Sequence, residues 1–109
     1  MAELFYTDEF KKNLKTLAKK YPHIKRDLAA VIEQLSTNKI IGDRISQTGL
    51  AIFKLRIANT DNQKGKSAGY RLLYWLKTPE KTVLLTIYSK SERGNITTNE
   101  IKQIISSIV

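Results

Sequence analysis

At 109 residues, with 41% hydrophobic and 27% charged side chains, the chain is long enough for one modest core and not for two. Nineteen lysines and arginines against ten aspartates and glutamates leave a formal charge of +9, so polyanions are the expected partners, nucleic acid first and an anionic membrane surface second. The lack of cysteine excludes disulfide scaffolds and thiolate zinc sites; with no secretory signal in MAELFYTDEF and no apolar run near the roughly 18 residues of a membrane span, a single cytoplasmic domain over residues 1–109 is expected.

Leu4, Phe5 and Tyr6 supply a short first strand. In TDEFKKNLKTLAKKY, Phe10, Leu14, Leu17, Ala18 and Tyr21 recur at helical spacing, with acids at the start and lysines toward the end as the helix dipole favours. Thr7 is the expected N-cap. Pro22 suits the first turn of a second helix, in which Ile24, Leu28, Val31, Ile32 and Leu35 repeat the spacing and Ser36-Thr37-Asn38 ends it. Two amphipathic helices with almost no loop between them form a helical hairpin. The period then changes to two. Phe53, Leu55 and Ile57 alternate with Ile52, Lys54 and Arg56, YRLLYWLK follows as a second strand, and TVLLTIYS is a third beyond the turn Thr78-Pro79-Glu80-Lys81. Thr97 to Glu100 has the S/T-x-x-E capping-box form and opens a terminal helix striped by Ile101, Ile104, Ile105 and Ile108. The order β-α-α-β-β-β-α implies an α+β domain, a small antiparallel sheet with its helices packed on one face.

Arg71 interrupts an apolar run, and an unpaired guanidinium in a core is costly. If Phe53, Leu55 and Ile57 face the helices, Lys54 and Arg56 face away, and Arg71 on the next strand can share their open side. The loop from Asn59 to Gly69 adds Lys64 and Lys66, and Lys90 and Arg93 follow the third strand. From Lys39 to Arg93 there are eleven basic and four acidic residues, too few acids to pair the cations. An anion-binding face on this half is therefore expected. Of Tyr70, Tyr74, Trp75 and Tyr88, at least two are expected in the core. Trp75, with the parity of Arg71, is the best candidate for stacking on a base. Lys11, Lys12, Lys15, Lys19 and Lys20 read as the solvated face of the first helix. His23, the only histidine, reads as a surface residue, and no ligand cluster suggests a metal.

FKLR, the basic loop running into SAGYRLLYWL, and LLTIYSKSE before a terminal helix together resemble the RelE/HigB-type toxins of toxin–antitoxin systems, within the RelE/ParE superfamily. The resemblance covers roughly Gly49 to the end, and the two preceding helices match in order and length. It implies a fold like that of small microbial ribonucleases and a ribosome-dependent endoribonuclease that cuts mRNA in the ribosomal A site. The 2′-OH would attack the adjacent phosphate, without metal or other cofactor.

It also implies an antitoxin partner, contact with 16S rRNA, and roles for particular residues. Arg71 takes the arginine position of the GYR segment, and Lys54 and Arg56 the two basic positions of the preceding strand. Lys90 joins them as a catalytic candidate. Lys64, Lys66, Arg93, Trp75 and Tyr88 are the candidates for RNA or phosphate binding. Ser91 and Thr97 stand where well-characterised RelE toxins carry an arginine and a tyrosine. A ParE-like poison of DNA gyrase and a non-catalytic nucleic-acid-binding module are the alternatives.

Overall fold

The computed structural model describes residues 1–62 and 68–108. A short strand β1 (Glu3–Tyr6) leads into helices α1 (Asp8–Lys20) and α2 (Ile24–Ser36). A two-residue strand β2 (Asp43–Arg44) and one 3₁₀ turn (Ser46–Thr48) precede the long strands β3 (Ile52–Ile57), β4 (Tyr70–Thr78) and β5 (Lys81–Ser89), and α3 (Thr98–Ser106) follows. The strands form one five-stranded sheet in the order β1-β5-β4-β3-β2. The expected α+β order is present with one addition, β2, which is too short to leave a periodicity in the sequence. The sheet is mixed, because β1 runs parallel to β5 while every other pair is antiparallel.

Local chemistry places the first helix. The Thr7 hydroxyl accepts from the Phe10 N–H at 2.9 Å and donates to the Leu85 carbonyl at 2.7 Å. One side chain thus caps α1 and fixes its start to β5. Pro22 lies outside α2, one residue before the cap position His23. Asn38 ends the hairpin in a left-handed conformation, φ 66°, which asparagine tolerates better than most residues. Tyr74 reaches into the following segment, its hydroxyl donating to the Ile41 carbonyl and accepting from the Ile41 N–H.

The strand alternation sorts side chains onto two cores. Phe53, Leu55 and Ile57 of β3 join Tyr70, Leu72 and Tyr74 of β4 beneath α1 and α2. The opposite parity carries Ile52, Leu73 and Trp75, which with Val83, Leu85 and Tyr88 form a second core closed by Ile101, Ile104 and Ile105 of α3. The helices therefore do not share one face of the sheet, as the sequence suggested. α3 covers the other. The reason lies in β4, where every residue from Tyr70 to Trp75 is buried. A strand apolar on both sides needs cover on both.

This arrangement corrects the expectation for Trp75. Its ring is 8% exposed and packed in the core that α3 closes, with the Lys77 ammonium 5.7 Å from the ring centroid. It is a core side chain, not an open surface for a base.

Candidate functional site

Three residues form a straight row across the face shared with α3. Arg56 of β3 is the register partner of Arg71 of β4, and Arg71 is the partner of Tyr88 of β5. Lys54, two residues before Arg56 and so about 7 Å along the same face, stands between Leu73 and Asp43 in register. The structure thus brings together the three cations that the sequence pattern grouped. Arg56 is exposed and Lys54 half-buried, and among the described residues neither side chain has a hydrogen bond or ion pair.

Arg71 departs from the expected open position, being 4% exposed. One of its guanidinium nitrogens donates to the Tyr70 carbonyl at 3.3 Å. Burial lowers its pKa first and the Arg56 charge lowers it further, while Tyr88 acts in the opposite sense. Holding a desolvated guanidinium against a second arginine is unfavourable in isolation. The same geometry gives an arriving anion a pre-positioned cation that need not reorganise.

Tyr88 ends the row and is itself held. Its ring lies 5.1 Å from the Arg93 guanidinium carbon, and its hydroxyl accepts from the Ile96 N–H at 3.4 Å. Arg93 in turn makes a two-pronged pair with Glu100, both contacts 3.0 Å. Glu100 also accepts from the Thr97 N–H, completing the capping box that starts α3. The Arg93 hydrogen bonds, then the Thr97 N–H, hold the Glu100 carboxyl down to a pKa of about 2. Arg93 is therefore charge-compensated. Thr97, at the position where a tyrosine was expected from the resemblance, serves as the helix cap. Ser91, at the other departing position, is exposed and its hydroxyl meets that of Ser89 at 2.9 Å.

Lys90 borders the same end of the sheet. Its ammonium donates to Asn95 at 3.2 Å and its backbone N–H to the Gly69 carbonyl at 2.9 Å. Gly69 is required there: a Cβ would sit 2.0 Å from the Ile57 carbonyl oxygen. That close approach draws the ends of β3, β4 and β5 together around the row. Lys64 and Lys66 lie outside the described residues. The loop before them is clamped to the start of α2, with Thr60 bonded to Asp27 at 2.9 and 3.0 Å. Exposed His23 lies 2.7 Å from Asp61 and lowers its pKa.

A cavity of about 570 Å³ runs beside β5 between α1 and α3, and Tyr88 and Arg93 form part of its wall. Glu9, Glu92 and Glu100 line it too, and Glu92 is bonded to the Tyr21 hydroxyl at 2.8 Å and to Lys20 at 3.2 Å. Its carboxylates disfavour an anion on this side of Tyr88, whose register partner across the strands is Arg71.

Residues 3–107 match the model of the RelE toxin of the RelE/RelB toxin–antitoxin system. The chain belongs to the RelE toxin family. A RelE-type toxin implies an antitoxin as its partner, and the mixed α+β arrangement of three helices and a five-stranded sheet is compatible with that family's fold. Among the described residues of this RelE-type toxin, no helix is long and apolar enough to cross a membrane. Glu100 and Gly69 escaped the sequence reading as parts of the site. The capping box marked Glu100 only as a helix start, and nothing local ties it to Arg93 seven residues earlier.

Proposed function

We propose that this RelE-type toxin is a cytoplasmic, ribosome-dependent endoribonuclease that inhibits translation by cutting mRNA in the A site. The observation that carries this reading is the direct opposition of Arg56 and Arg71 on the α3 face of the sheet. Two cations on adjacent strands make a cradle for a phosphodiester as its two non-bridging oxygens gain charge. Removing one such donor typically costs about 10²–10³ in rate.

In this mechanism the 2′-oxygen attacks the adjacent phosphorus and the bond to the 5′-oxygen breaks, leaving a 2′,3′-cyclic phosphate and a 5′-hydroxyl. Arg71 and Arg56 hold the phosphorane-like charge. Lys54 is the residue that takes the 2′-OH proton, since arginine practically never releases its own. The Lys90 ammonium protonates the leaving 5′-oxygen. Lys64 and Lys66 contact phosphates flanking the cut, and Tyr88, braced by Arg93, forms the wall of the cradle. Ribosomal 16S RNA presents the mRNA to this face.

The test is primer extension on a reporter mRNA in a purified translation system, with and without ribosomes, comparing the wild type with Arg71→Ala. New 5′ ends that require both translating ribosomes and Arg71 support the reading. Intact mRNA with a folded wild-type protein overturns it, and gyrase-dependent DNA breaks would then favour a gyrase poison.

A further inference from the structure

The segment between α2 and β3 is fixed more firmly than burial explains. β2 is two residues long and both are exposed. Contacts on either side hold it. The Tyr74 hydroxyl engages both backbone groups of Ile41. Gly42, at φ 89°, lies so close to β3 that a Cβ would stand 2.5 Å from the Lys54 carbonyl oxygen. The Ile45 N–H donates to the Ile52 carbonyl at 2.8 Å. What these contacts set beside the cations is Asp43, the register partner of Lys54.

Asp43 shares the face of the arginine row. Register partners point to the same side of a sheet, and Ile45, two residues on, packs on the core that α3 closes. On that face Asp43 adjoins Lys54 and is diagonal to Arg56, at about 7–8 Å. Its carboxylate has no ion pair among the described residues. The other acids between Lys39 and Arg93 are placed differently. Asp61 pairs with His23 and Glu92 with Lys20. Glu80 lies in the β4–β5 turn, at the far end of the strands from Arg71. Within this stretch Asp43 is thus the one described acid that borders the cation row unpaired.

A carboxylate on a phosphate-binding face works against affinity, because it repels the backbone that the arginines attract. What it can do there is accept hydrogen bonds. Bases of a single RNA strand are open to recognition on their Watson–Crick edges. Guanine alone offers two adjacent donors on that edge, N1–H and N2–H, which match the two oxygens of a carboxylate. Adenine and cytosine set an acceptor beside their amino group, and uracil flanks its one N–H with carbonyls. Each of these turns a lone pair against the second carboxylate oxygen.

We infer that Asp43 is a specificity-determining residue, whose carboxylate selects a guanine next to the phosphodiester held by Arg56 and Arg71. The inference rests on the ribosome-dependent nuclease proposed above and adds the base that its site prefers. The contacts of Ile41, Gly42 and Ile45 keep the carboxylate in register with the cations, so that base and phosphate are engaged together.

The test is single-turnover cleavage, in the purified translation system, of messages whose A-site codon carries each base in turn at each position. The wild type is expected to favour guanine at one position about tenfold, the scale of one bidentate pair, and Asp43→Ala to bring all bases within about twofold. Asp43→Asn keeps the shape but offers one donor and one acceptor, the match for adenine. Its preference is expected to move from guanine to adenine. Both variants should keep the wild-type Tm, because the side chain is exposed. A uniform loss for all bases in the alanine variant overturns the inference, since Asp43 would then act on a part common to every nucleotide. So does a wild type without guanine preference, or an asparagine variant that retains it.

Binding to ribosomes programmed with the same codons, 2′-O-methylated so that no attack is possible, separates this inference from the nuclease reading. Guanine-selective binding that depends on Asp43, with unmodified message left intact, would remove the nuclease reading and leave the inference standing. Cleavage without base selectivity would do the reverse.

Discussion

Arg56 and Arg71 are direct register partners, one exposed at the surface of β3 and the other buried in β4. Like charges directly opposite across antiparallel strands destabilise a sheet, on a scale of about 0.2–1 kcal/mol per pair. Arg56→Gln is therefore expected to stabilise the fold by about 0.5 kcal/mol, roughly 2–4 °C in Tm, while lowering mRNA cleavage at least tenfold. Thermal unfolding beside single-turnover cleavage measures both. A loss of stability would show that the opposition is compensated in the free protein.

Glu100 ties Arg93, the cap of α3 and the wall beside Tyr88 into one unit. Its folded pKa of about 2 lies below the ordinary 4.5. The stabilisation is thus complete above the unfolded value and is lost as pH falls from about 4.5 through about 2. The pair is partly exposed, so Glu100→Gln should cost only about 1 kcal/mol at neutral pH. Urea unfolding of both proteins across that acid range should show the difference shrinking toward zero.

Trp75 separates a core role from a stacking role. Trp75→Ala should destabilise by about 3–5 kcal/mol, as large-to-small changes in cores do. Trp75→Phe should keep cleavage per folded molecule within about twofold. Loss of a stacked base would instead cost about 1–3 kcal/mol of binding, visible as a raised KM in a protein of normal Tm.

The Tyr70 hydroxyl is fully buried and has no hydrogen-bond partner among the described residues, and burial raises its pKa. Removing such a group relieves a desolvation penalty of about 1–3 kcal/mol. Tyr70→Phe is accordingly expected to raise stability by about 1 kcal/mol in denaturant titrations. A destabilised variant would mean that the hydroxyl is hydrogen-bonded in solution, for which a buried water is the simplest partner.

Much of this architecture is written locally. The Phe53-Leu55-Ile57 alternation set the outward side of Lys54 and Arg56, and Thr7 and Thr97 mark the starts of their helices. The face chosen by α3 was harder to read, because an isoleucine stripe shows that a helix packs without showing on what. A clue stood in β4, where Leu73 and Trp75 have the opposite parity to Leu72 and Tyr74, a two-sided apolar strand. Reading Arg71 as evidence of a wholly open face obscured it. β2 was too short to show, and the parallel seat of β1 depends on a partner 78 residues away. Of the site, the cation row was legible from strand parity. The hold of Glu100 on Arg93 depends on how the turn after β5 folds back.

The β1–β5 pairing also governs when the protein becomes complete during synthesis. β1 must wait for β5, since Glu3 pairs with Lys81 and Tyr6 with Leu84. Tyr88 and the Glu100 brace come later still. A nascent chain can form its helical hairpin early, but its arginine row lacks the third strand and the closing helix until β5 and α3 have been made. Chain order thus delays the assembled site until well after the two strands that carry its cations have been made.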